Sequence, residues 1–324
     1  MVYFLIFESL IIYLTIIICV KNSNIFVKYL PLIDYPDQRK LHKKPTPLIG
    51  GIIFIILILI IYIFDNFIFQ TQIKYEILLV SFVAFLIGLI DDIKDLSPYL
   101  KLLFLSIILI LFLNLNINYI VNEIYFETLN RSFHLDKFSL PFTVLCVLLL
   151  TNASNMSDGI SGLFIGIFII FFSYIEFNNH DLDYFNLSVI LSLIILFYFN
   201  YKNFFFMGDS GVFFITIMFS FFLINSYNME NNNLNSVDEI FLLLMIPGLD
   251  MLRLFIERLL QKKNPLKPDR NHFHHLLLNR FQRYNVLIIY FSFMIFPLIL
   301  LSFKVVSSYV LIIIFSVLYL GTIL

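Results

Sequence analysis

Charged residues are scarce in this chain of 324 residues. Asp, Glu, Lys and Arg make up 13% of it, whereas 60% is hydrophobic and 18% aromatic. Soluble globular domains carry about 25% charged residues, so the composition excludes that class and indicates an integral membrane protein. Lipid offers the backbone no hydrogen-bond partner, and the apolar runs are long rather than short and alternating. We therefore expect an all-α helical bundle and not a barrel.

Cysteine and processing signals are equally sparse. The two cysteines, Cys19 and Cys146, fall inside apolar runs, which argues against a structural disulfide or a cysteine-ligated metal. No basic residue precedes the first apolar run and no small-residue cleavage pattern follows it, so residues 2–20 are expected to stay as a first helix. We find no internal repeat of the kind that marks many secondary transporters.

About eleven apolar runs approach the roughly 20 residues that cross a bilayer. We predict one domain, 1–324, with 10–11 transmembrane helices near 2–20, 48–64, 76–90, 99–115, 140–156, 160–176, 184–200, 210–226, 238–256, 286–303 and 307–323. If the N-terminus lies outside, only Lys74, Arg131, Lys137 and Lys304 of the 21 basic residues fall on the outer side. The positive-inside rule favours this orientation.

The connecting segments then divide between the two sides. We predict that the cytoplasmic loops 21–47, 91–98, 152–160, 200–210 and 257–285 form the active site. On the outer side, alternation of apolar and polar residues within 116–138 predicts a small hairpin. Five polar clusters interrupt the apolar sequence, all on the predicted cytoplasmic side, and we expect them to converge into one site: 34–51, 91–95, 152–162, 208–211 and 269–275.

The second cluster is acidic. If the preceding helix continues, Asp91 and Asp95, or Asp92 and Asp95, share one of its faces. A solvated helix end is one interpretation. A Mg²⁺ or substrate-activating site is the other, because ionisable groups at membrane depth are costly and usually functional, and hard cations prefer oxygen ligands. Lys101 follows, where it could meet a phosphate.

Two further clusters add oxygen ligands. Asn152 and Asn155 align on a helix, as do Asn155 and Asp158, and amide and carboxylate oxygens suit Mg²⁺ or a nucleotide. Asp209 lies between glycines, a pattern that also occurs in ordinary turns. Its position at the inner end of an apolar run makes it a candidate metal ligand.

The last cluster carries His272, His274 and His275 in a basic loop. Zinc is disfavoured because the loop has no supporting cysteine and many cations. A loop needed only for topology would explain the Lys and Arg but not the histidines. Arg and His donors suit a diphosphate, so we predict an anion site that includes Arg270.

From Asp34 to Leu278, these clusters resemble the polyprenyl-phosphate N-acetylhexosamine-1-phosphate transferases. The matching residues are Asp-x-Pro-x-x-Arg-Lys-x-His with Pro-x-Pro-Leu-Ile-Gly-Gly at 34–51, Gly-Leu-Ile-Asp-Asp-x-x-Asp-Leu at 88–96, Asn-Ala-x-Asn-Met-x-Asp-Gly-Ile-x-Gly-Leu at 152–163, Gly-Asp-x-Gly at 208–211, and Pro-Asp-Arg-Asn-His-x-His-His-Leu-Leu at 268–277. The last motif looks like the branch that uses a UDP-N-acetylhexosamine, such as the transferases that start O-antigen, enterobacterial common antigen or teichoic acid linkage synthesis.

The resemblance implies a Mg²⁺-dependent enzyme of the bacterial cytoplasmic (inner) membrane, with Mn²⁺ as a substitute. It would transfer N-acetylhexosamine 1-phosphate, in the first instance GlcNAc-1-phosphate, from the UDP-sugar to undecaprenyl phosphate and release UMP. Asp209 and Asn155 would hold the metal, and Asp91 and Asp92 would activate or position the lipid phosphate. The resemblance further implies that Asp158 supports the nucleotide or metal region beside Asn152, and that phosphates or sugar are contacted by Lys101, Arg270, His272, His274 and His275.

Several alternatives stay open at this stage. The branch that transfers phospho-muramoyl-pentapeptide is one, although its histidine run is arranged differently. An ion or lipid transporter is another, but Asp91, Asp92, Asp158 and Asp209 lie at span ends rather than at span centres. Direct attack and a covalent aspartyl intermediate are both compatible with the residues. A homodimer has no recognisable interface, and we expect no nucleic-acid partner.

Overall fold

The computed structural model describes residues 2–36, 44–69, 74–179, 183–229, 236–263 and 271–323. Within these ranges the chain is a bundle of thirteen α-helices. Their bounds are α1 Val2–Lys21, α2 Ser23–Tyr29, α3 Gly50–Phe64, α4 Tyr75–Lys94, α5 Pro98–Leu115, α6 Ser139–Ser157, α7 Leu163–Asn178, α8 Tyr184–Tyr201, α9 Gly208–Asn228, α10 Val237–Leu260, α11 Phe273–Leu278, α12 Arg283–Ser302 and α13 Ser308–Ile323.

Each predicted span corresponds to one helix of at least 15 residues, which confirms the multi-pass helical fold. Among the described residues, seven helices are long and apolar enough to cross a membrane, and α7 and α13 are shorter apolar helices. Helix α4 carries Asp91, Asp92 and Lys94 on its last turn rather than in a loop. Helix α6 likewise extends to Ser157, so Asn152 and Asn155 are helical residues. The acidic and amide side chains are therefore held on rigid elements.

Two short antiparallel strand pairs lie in the described part of the chain. Strands β1 (Ile33–Asp34) and β2 (Thr46–Pro47) pair beside the start of α3. Strands β3 (Glu123–Phe126) and β4 (Arg131–His134) form the hairpin predicted within 116–138. The N–H of Tyr125 donates to the Tyr227 hydroxyl at 2.9 Å, which joins this hairpin to the end of α9.

Helix α9 is the central helix of the bundle, and most of its residues are buried. Phe219 of α9 packs against Phe168, Phe171 and Phe172 of α7, with ring centroids 4.8 to 5.6 Å apart. Such aromatic pairs contribute about 0.5–1.5 kcal/mol each beyond their buried area. Phe54 of α3 packs edge-on against Phe214 of α9.

Glycines bring α9 against two neighbouring helices at the level of the polar clusters. A Cβ on Gly88 of α4 would lie 2.5 Å from the backbone of Asp209, and one on Gly51 of α3 would lie 2.5 Å from the backbone nitrogen of Gly211. Small residues permit such close approach of membrane helices. The N–H groups of Gly50 and Gly51 also donate to the carbonyls of Phe206 and Met207, at 3.0 and 3.1 Å. The glycines of two sequence motifs therefore fix the start of α9 beside α3 and α4.

Candidate active site

Lys101 joins two of the predicted acids. Its ammonium group donates to Asp209 Oδ2 at 2.8 Å and forms an ion pair with Asp91 Oδ2. Asp91 is buried, and its other oxygen accepts the N–H of Leu96 at 2.7 Å. The turn after α4, with Asp95 in the left-handed conformation, and Pro98 at the first turn of α5 bring Lys101 back over the carboxylates.

Asp92 binds the start of α9 across the helix interface. Its carboxylate accepts the N–H of Asp209 at 2.8 Å and the N–H of Ser210 at 3.1 Å. These N–H groups lie at a helix N-terminus, where a carboxylate satisfies free donors and interacts favourably with the helix dipole. Gly208 before them has a positive φ of 69°, and a Cβ there would lie 2.6 Å from Asp92 Oδ2. Asp92 therefore positions Asp209 in addition to lining the site.

A first cavity, of about 400 Å³, collects oxygen ligands from four of the five polar clusters, and we name it the acidic cavity. It also contains His275 from the fifth cluster, and Asn203 and Arg283 from the predicted active-site loops 200–210 and 257–285. Its carboxylate and amide residues are Asp34, Asp92, Asn155, Asp158 and Asp209.

Burial and mutual repulsion raise the pKa values of Asp91, Asp92 and Asp158. Burial, followed by the hydrogen bond and charge of Asp209, raises the pKa of Asp91 to about 7, although Lys101 opposes this. Burial raises the pKa of Asp92 to about 6 against the opposing effect of its hydrogen bonds with residues 209 and 210. Burial and the charges of Asp209 and Asp92 raise the pKa of Asp158 well above its usual value. The site therefore has an excess of negative charge that a cation would relieve.

A second cavity, of about 320 Å³, has the opposite character, and we name it the basic cavity. It is lined by Lys101, Arg258, His272 and His275, next to apolar side chains of α5 and α6 that include Leu102, Leu105 and Leu148. Asn152 lines it as well, and Asn155, Gly159 and His275 belong to both cavities. The two cavities are therefore adjacent and share one wall.

The histidines of α11 lie in different positions with respect to the cavities. His275 lines both and His272 lines the basic one. His274 is buried and lines neither. Its pKa is held well below its usual value by burial and by the charges of His275 and His272. Its ring is parallel to that of His272, with centroids 5.6 Å apart. His274 thus supports its neighbours by packing, and a ligand contact for it stays a prediction.

Other sequence predictions fall differently. Asp91 lines neither cavity and is connected to the site by its ion pair with Lys101. Arg270 lies outside the described residues, as do Arg39, Lys40 and His42 of the first motif, for which the resemblance leaves open a structural or lipid-headgroup role or one in catalysis.

Arg258, Asn203 and Arg283 line the cavities, although nothing in the sequence singled them out within the predicted loops. Arg283 lies over the Tyr201 ring at 4.5 Å and donates to Asn203 Oδ1 at 3.1 Å. In the sequence, Arg258 and Arg283 indicated only the orientation in the membrane, because basic residues at the cytoplasmic ends of spans are common in any membrane protein.

The acidic cavity suits Mg²⁺ in the chemistry of its donors. In the part of the chain that the structure describes, no three His, Cys, Asp or Glu side chains form a ready metal cage. Mg²⁺ does not require one, because it usually keeps several waters and binds one or two carboxylates together with substrate phosphates. Asp209 and Asn155, with Asp158 and Asp92 beside them, offer such a set.

Comparison with known proteins decides the family. A family model described as Glycosyl transferase family 4 matches residues 75–227. An undecaprenyl-phosphate alpha-N-acetylglucosaminyl 1-phosphate transferase of Pasteurella multocida is 30% identical over 270 residues, which cover 76% of this chain and 71% of the relative. The chain belongs to glycosyl transferase family 4. This family 4 transferase carries Asp91, Asp92, Asn155 and Asp209 inside the matched region, so the recognition made from the motifs is confirmed.

Two further relatives of this family 4 transferase bear on its substrate. A protein of Thermotoga maritima with the same name as the Pasteurella relative is 29% identical over 283 residues, or 87% of this chain and 85% of the relative. A phospho-N-acetylmuramoyl-pentapeptide-transferase of Clostridium novyi is 31% identical over 195 residues, or 54% of this chain and 58% of the relative. The likeness to the N-acetylglucosaminyl 1-phosphate transferases covers more of this chain than the likeness to the pentapeptide transferase.

Proposed function

We propose that this membrane protein transfers N-acetylhexosamine 1-phosphate, most readily GlcNAc-1-phosphate, from its UDP derivative to undecaprenyl phosphate and releases UMP. The observation that carries the proposal is the pair of adjacent cavities, one acidic and one basic, with Asn155 and His275 in their shared wall. The names of the two long-matching relatives support the acceptor and the sugar.

The acidic cavity suits the nucleotide sugar together with its cation. Asp209 and Asn155 would hold Mg²⁺, or Mn²⁺ in its place, and the bound ion would neutralise charge on the diphosphate. Asp92 keeps Asp209 in position through the α9 backbone. Arg283 and His275 supply donors at the border of the same cavity, where they would orient phosphate or sugar oxygens.

The basic cavity suits the lipid acceptor. Lys101, Arg258 and His272 offer positive charge and hydrogen-bond donors to a phosphate, and Leu102 and Leu105 continue the wall with apolar surface. An anionic head with a polyprenyl chain needs this combination. A phosphate oxygen of the lipid would attack the β-phosphorus of the UDP-sugar, and the bond from that phosphorus to the departing UMP oxygen would break. Catalysis would come from positioning and charge stabilisation, as in other phosphoryl transfers.

The orientation of the protein in the membrane follows from the distribution of its basic residues between the loops. With the N-terminus outside, both cavities open on the cytoplasmic side of the bacterial inner membrane. UDP-sugars are made in the cytoplasm. The product would be a membrane-bound diphospho-sugar for envelope polysaccharide synthesis. A homodimer and the direct or covalent route are left open by this proposal.

Purified protein supplied with undecaprenyl phosphate, Mg²⁺ and a panel of UDP-sugars tests the proposal. We expect UMP release with UDP-GlcNAc or another UDP-N-acetylhexosamine, and its loss with a chelator. Release only with UDP-MurNAc-pentapeptide would favour the second branch, which the Clostridium relative represents. No release with any UDP-sugar would contradict the enzyme and favour the transporter alternative.

Asp209→Asn and Asp91→Asn are the sharpest variants for this assay. Each removes a carboxylate charge at almost unchanged volume, and we expect each to lower UMP release by at least about 100-fold, in the range typical of lost electrostatic stabilisation. Both proteins should still be recovered folded from membranes. Activity close to wild type in either variant would remove that carboxylate from the site.

A further inference from the structure

Asp250 is a buried acid of α10 that the proposed reaction has not used. It is 7% exposed and lies behind the basic cavity rather than in its wall. Its carboxylate contacts three other parts of the chain: the segment at the start of α11, the end of α13 through Tyr319, and Arg253 one turn further along α10. A buried carboxylate is costly unless its lone pairs are satisfied, and here both oxygens are engaged.

The two oxygens of Asp250 have different partners. Oδ1 accepts three hydrogen bonds of 2.9 Å, from Arg253 Nη2, the backbone N–H of Phe273 and the Tyr319 hydroxyl. Oδ2 faces Nδ1 of His272 at 3.2 Å. Oδ1 therefore anchors the start of α11 to α10 and α13, whereas Oδ2 is directed at one imidazole.

This contact determines which nitrogen of His272 is left for a ligand. An ionised carboxylate can only accept, so Nδ1 of His272 must carry the hydrogen. The other nitrogen, Nε2, then serves the basic cavity, which His272 lines together with Lys101, Arg258 and His275. Parallel packing on the His274 ring restricts rotation of the imidazole. A carboxylate behind a histidine is a general means of fixing its tautomer and orientation.

We infer that Asp250 is a positioning residue of the transferase, which fixes the tautomer and ring orientation of His272 so that Nε2 meets a phosphate oxygen of the substrate in the basic cavity. When Nε2 carries a proton, the carboxylate also offsets the charge of the ring. The inference rests on the proposed function. It adds to the site a supporting residue that lies 22 positions before His272 in the sequence.

Asp250→Asn tests the inference because it separates the two oxygens. The amide oxygen can still accept the three donors at Oδ1, while the amide NH₂ in place of Oδ2 cannot accept from Nδ1. We expect kcat/KM for undecaprenyl phosphate to fall about 10- to 100-fold, as for lost support of a functional histidine. Tyr319→Phe is the matched control, since it removes one donor to Oδ1 and leaves Oδ2 with His272. Its kcat/KM should stay close to wild type.

Two further readouts distinguish positioning from support of the fold. In a His272→Ala background, Asp250→Asn should lower kcat/KM little further. If the double variant instead loses the product of the two single-variant factors, the inference is overturned. Nitrogen NMR of labelled histidine at a pH where the ring is neutral should show Nδ1–H in the wild type and Nε2–H in Asp250→Asn. An unchanged tautomer would also overturn it.

A second pair of variants applies if Asp250→Asn does not fold. His272→Gln places an amide near the position of Nε2, and His272→Asn places one near Nδ1. We expect the Gln variant to keep more activity, and equal or higher activity in the Asn variant would contradict the inference. If wild-type protein releases no UMP, the proposed function fails, and the NMR measurement still decides the tautomer.

Discussion

Lys101 is the cation on which the arrangement of the acidic residues depends. It contacts Asp91 and Asp209 at once, and both it and Asp209 line a cavity. Without its ammonium group, two carboxylates would face each other with no fixed positive charge between them. Like charges in a partly buried site repel strongly. Lys101 therefore has a part in the stability of the site as well as in any contact with phosphate.

We expect Lys101→Met to lower turnover by at least about 100-fold and to destabilise the protein by up to roughly 3–5 kcal/mol, the range found when one partner of a buried ion pair is removed. Because Lys101 is partly exposed, the stability loss should fall toward the lower end of that range. Turnover and thermal unfolding in detergent measure the two effects. Lys94→Met, on the exposed end of α4, is the control and should change neither.

At this scale, the sequence predicted residue types better than their partners. Asp92, Asn155, Asp158 and Asp209 were predicted to lie together, and they line one cavity. Asp250 was missed because a single acid three residues before an arginine is typical of an ion pair on a helix surface. Its contact with His272 depends on how α10 and α11 pack, and no local pattern encodes that packing.

At the scale of elements, the close approach of α4 and α9 sets the position of the acids. A Cβ added to Gly88 would lie only 2.5 Å from the backbone of Asp209. The two helices also form the most extensive helix pair among the described residues. Interiors with this density do not accept added volume without backbone shifts.

Gly88→Ala is therefore expected to destabilise the protein by about 1–3 kcal/mol, the usual cost of overpacking, and to reduce turnover because Asp92 and Asp209 move apart. Gly248→Ala is the matched control, as nothing lies within 4 Å of a Cβ there in α10. It should leave stability unchanged or raise it by up to about 1 kcal/mol, from helix propensity. Equal effects of the two substitutions on thermal unfolding would contradict the close contact.

Hydropathy predicted the elements well for a physical reason. A span must be long and apolar to satisfy its backbone in lipid, so its signal covers many residues. Strands β1 and β2 have two residues each and form beside the contact of Pro47 with Phe206, whose N–H donates to the Pro47 carbonyl at 2.9 Å. Because this strand pair depends on a contact with Phe206, about 160 residues later in the sequence, no local periodic pattern predicts it.

At the scale of the whole molecule, the raised pKa values make stability depend on pH. Asp91 and Asp92, with pKa values of about 7 and about 6, hold protons in the folded state that they release at lower pH when unfolded. The folded state thus binds more protons between about pH 4 and about pH 7, and the free energy of unfolding falls as the pH rises through this window. The contribution is complete below about pH 4 and lost above about pH 7.

Thermal unfolding in the presence of a chelator measures this dependence. We expect a lower Tm at about pH 8 than at about pH 5, and a weaker dependence in Asp91→Asn. Added Mg²⁺ should raise the Tm mainly at the higher pH, where the carboxylates are charged and free to bind it. A Tm that does not respond to Mg²⁺ at any pH would contradict the proposed metal site.

The wall shared by the acidic and basic cavities has a kinetic consequence. Asn155 and His275 border both, so a molecule in one cavity changes the surface that the other presents. Donor and acceptor should then bind with mutual influence in a ternary complex, and initial-rate plots against one substrate should intersect as the other is varied. Parallel lines would instead indicate a ping-pong route through a covalent intermediate. The order of substrate binding and product release would thus follow from a wall that the two cavities share.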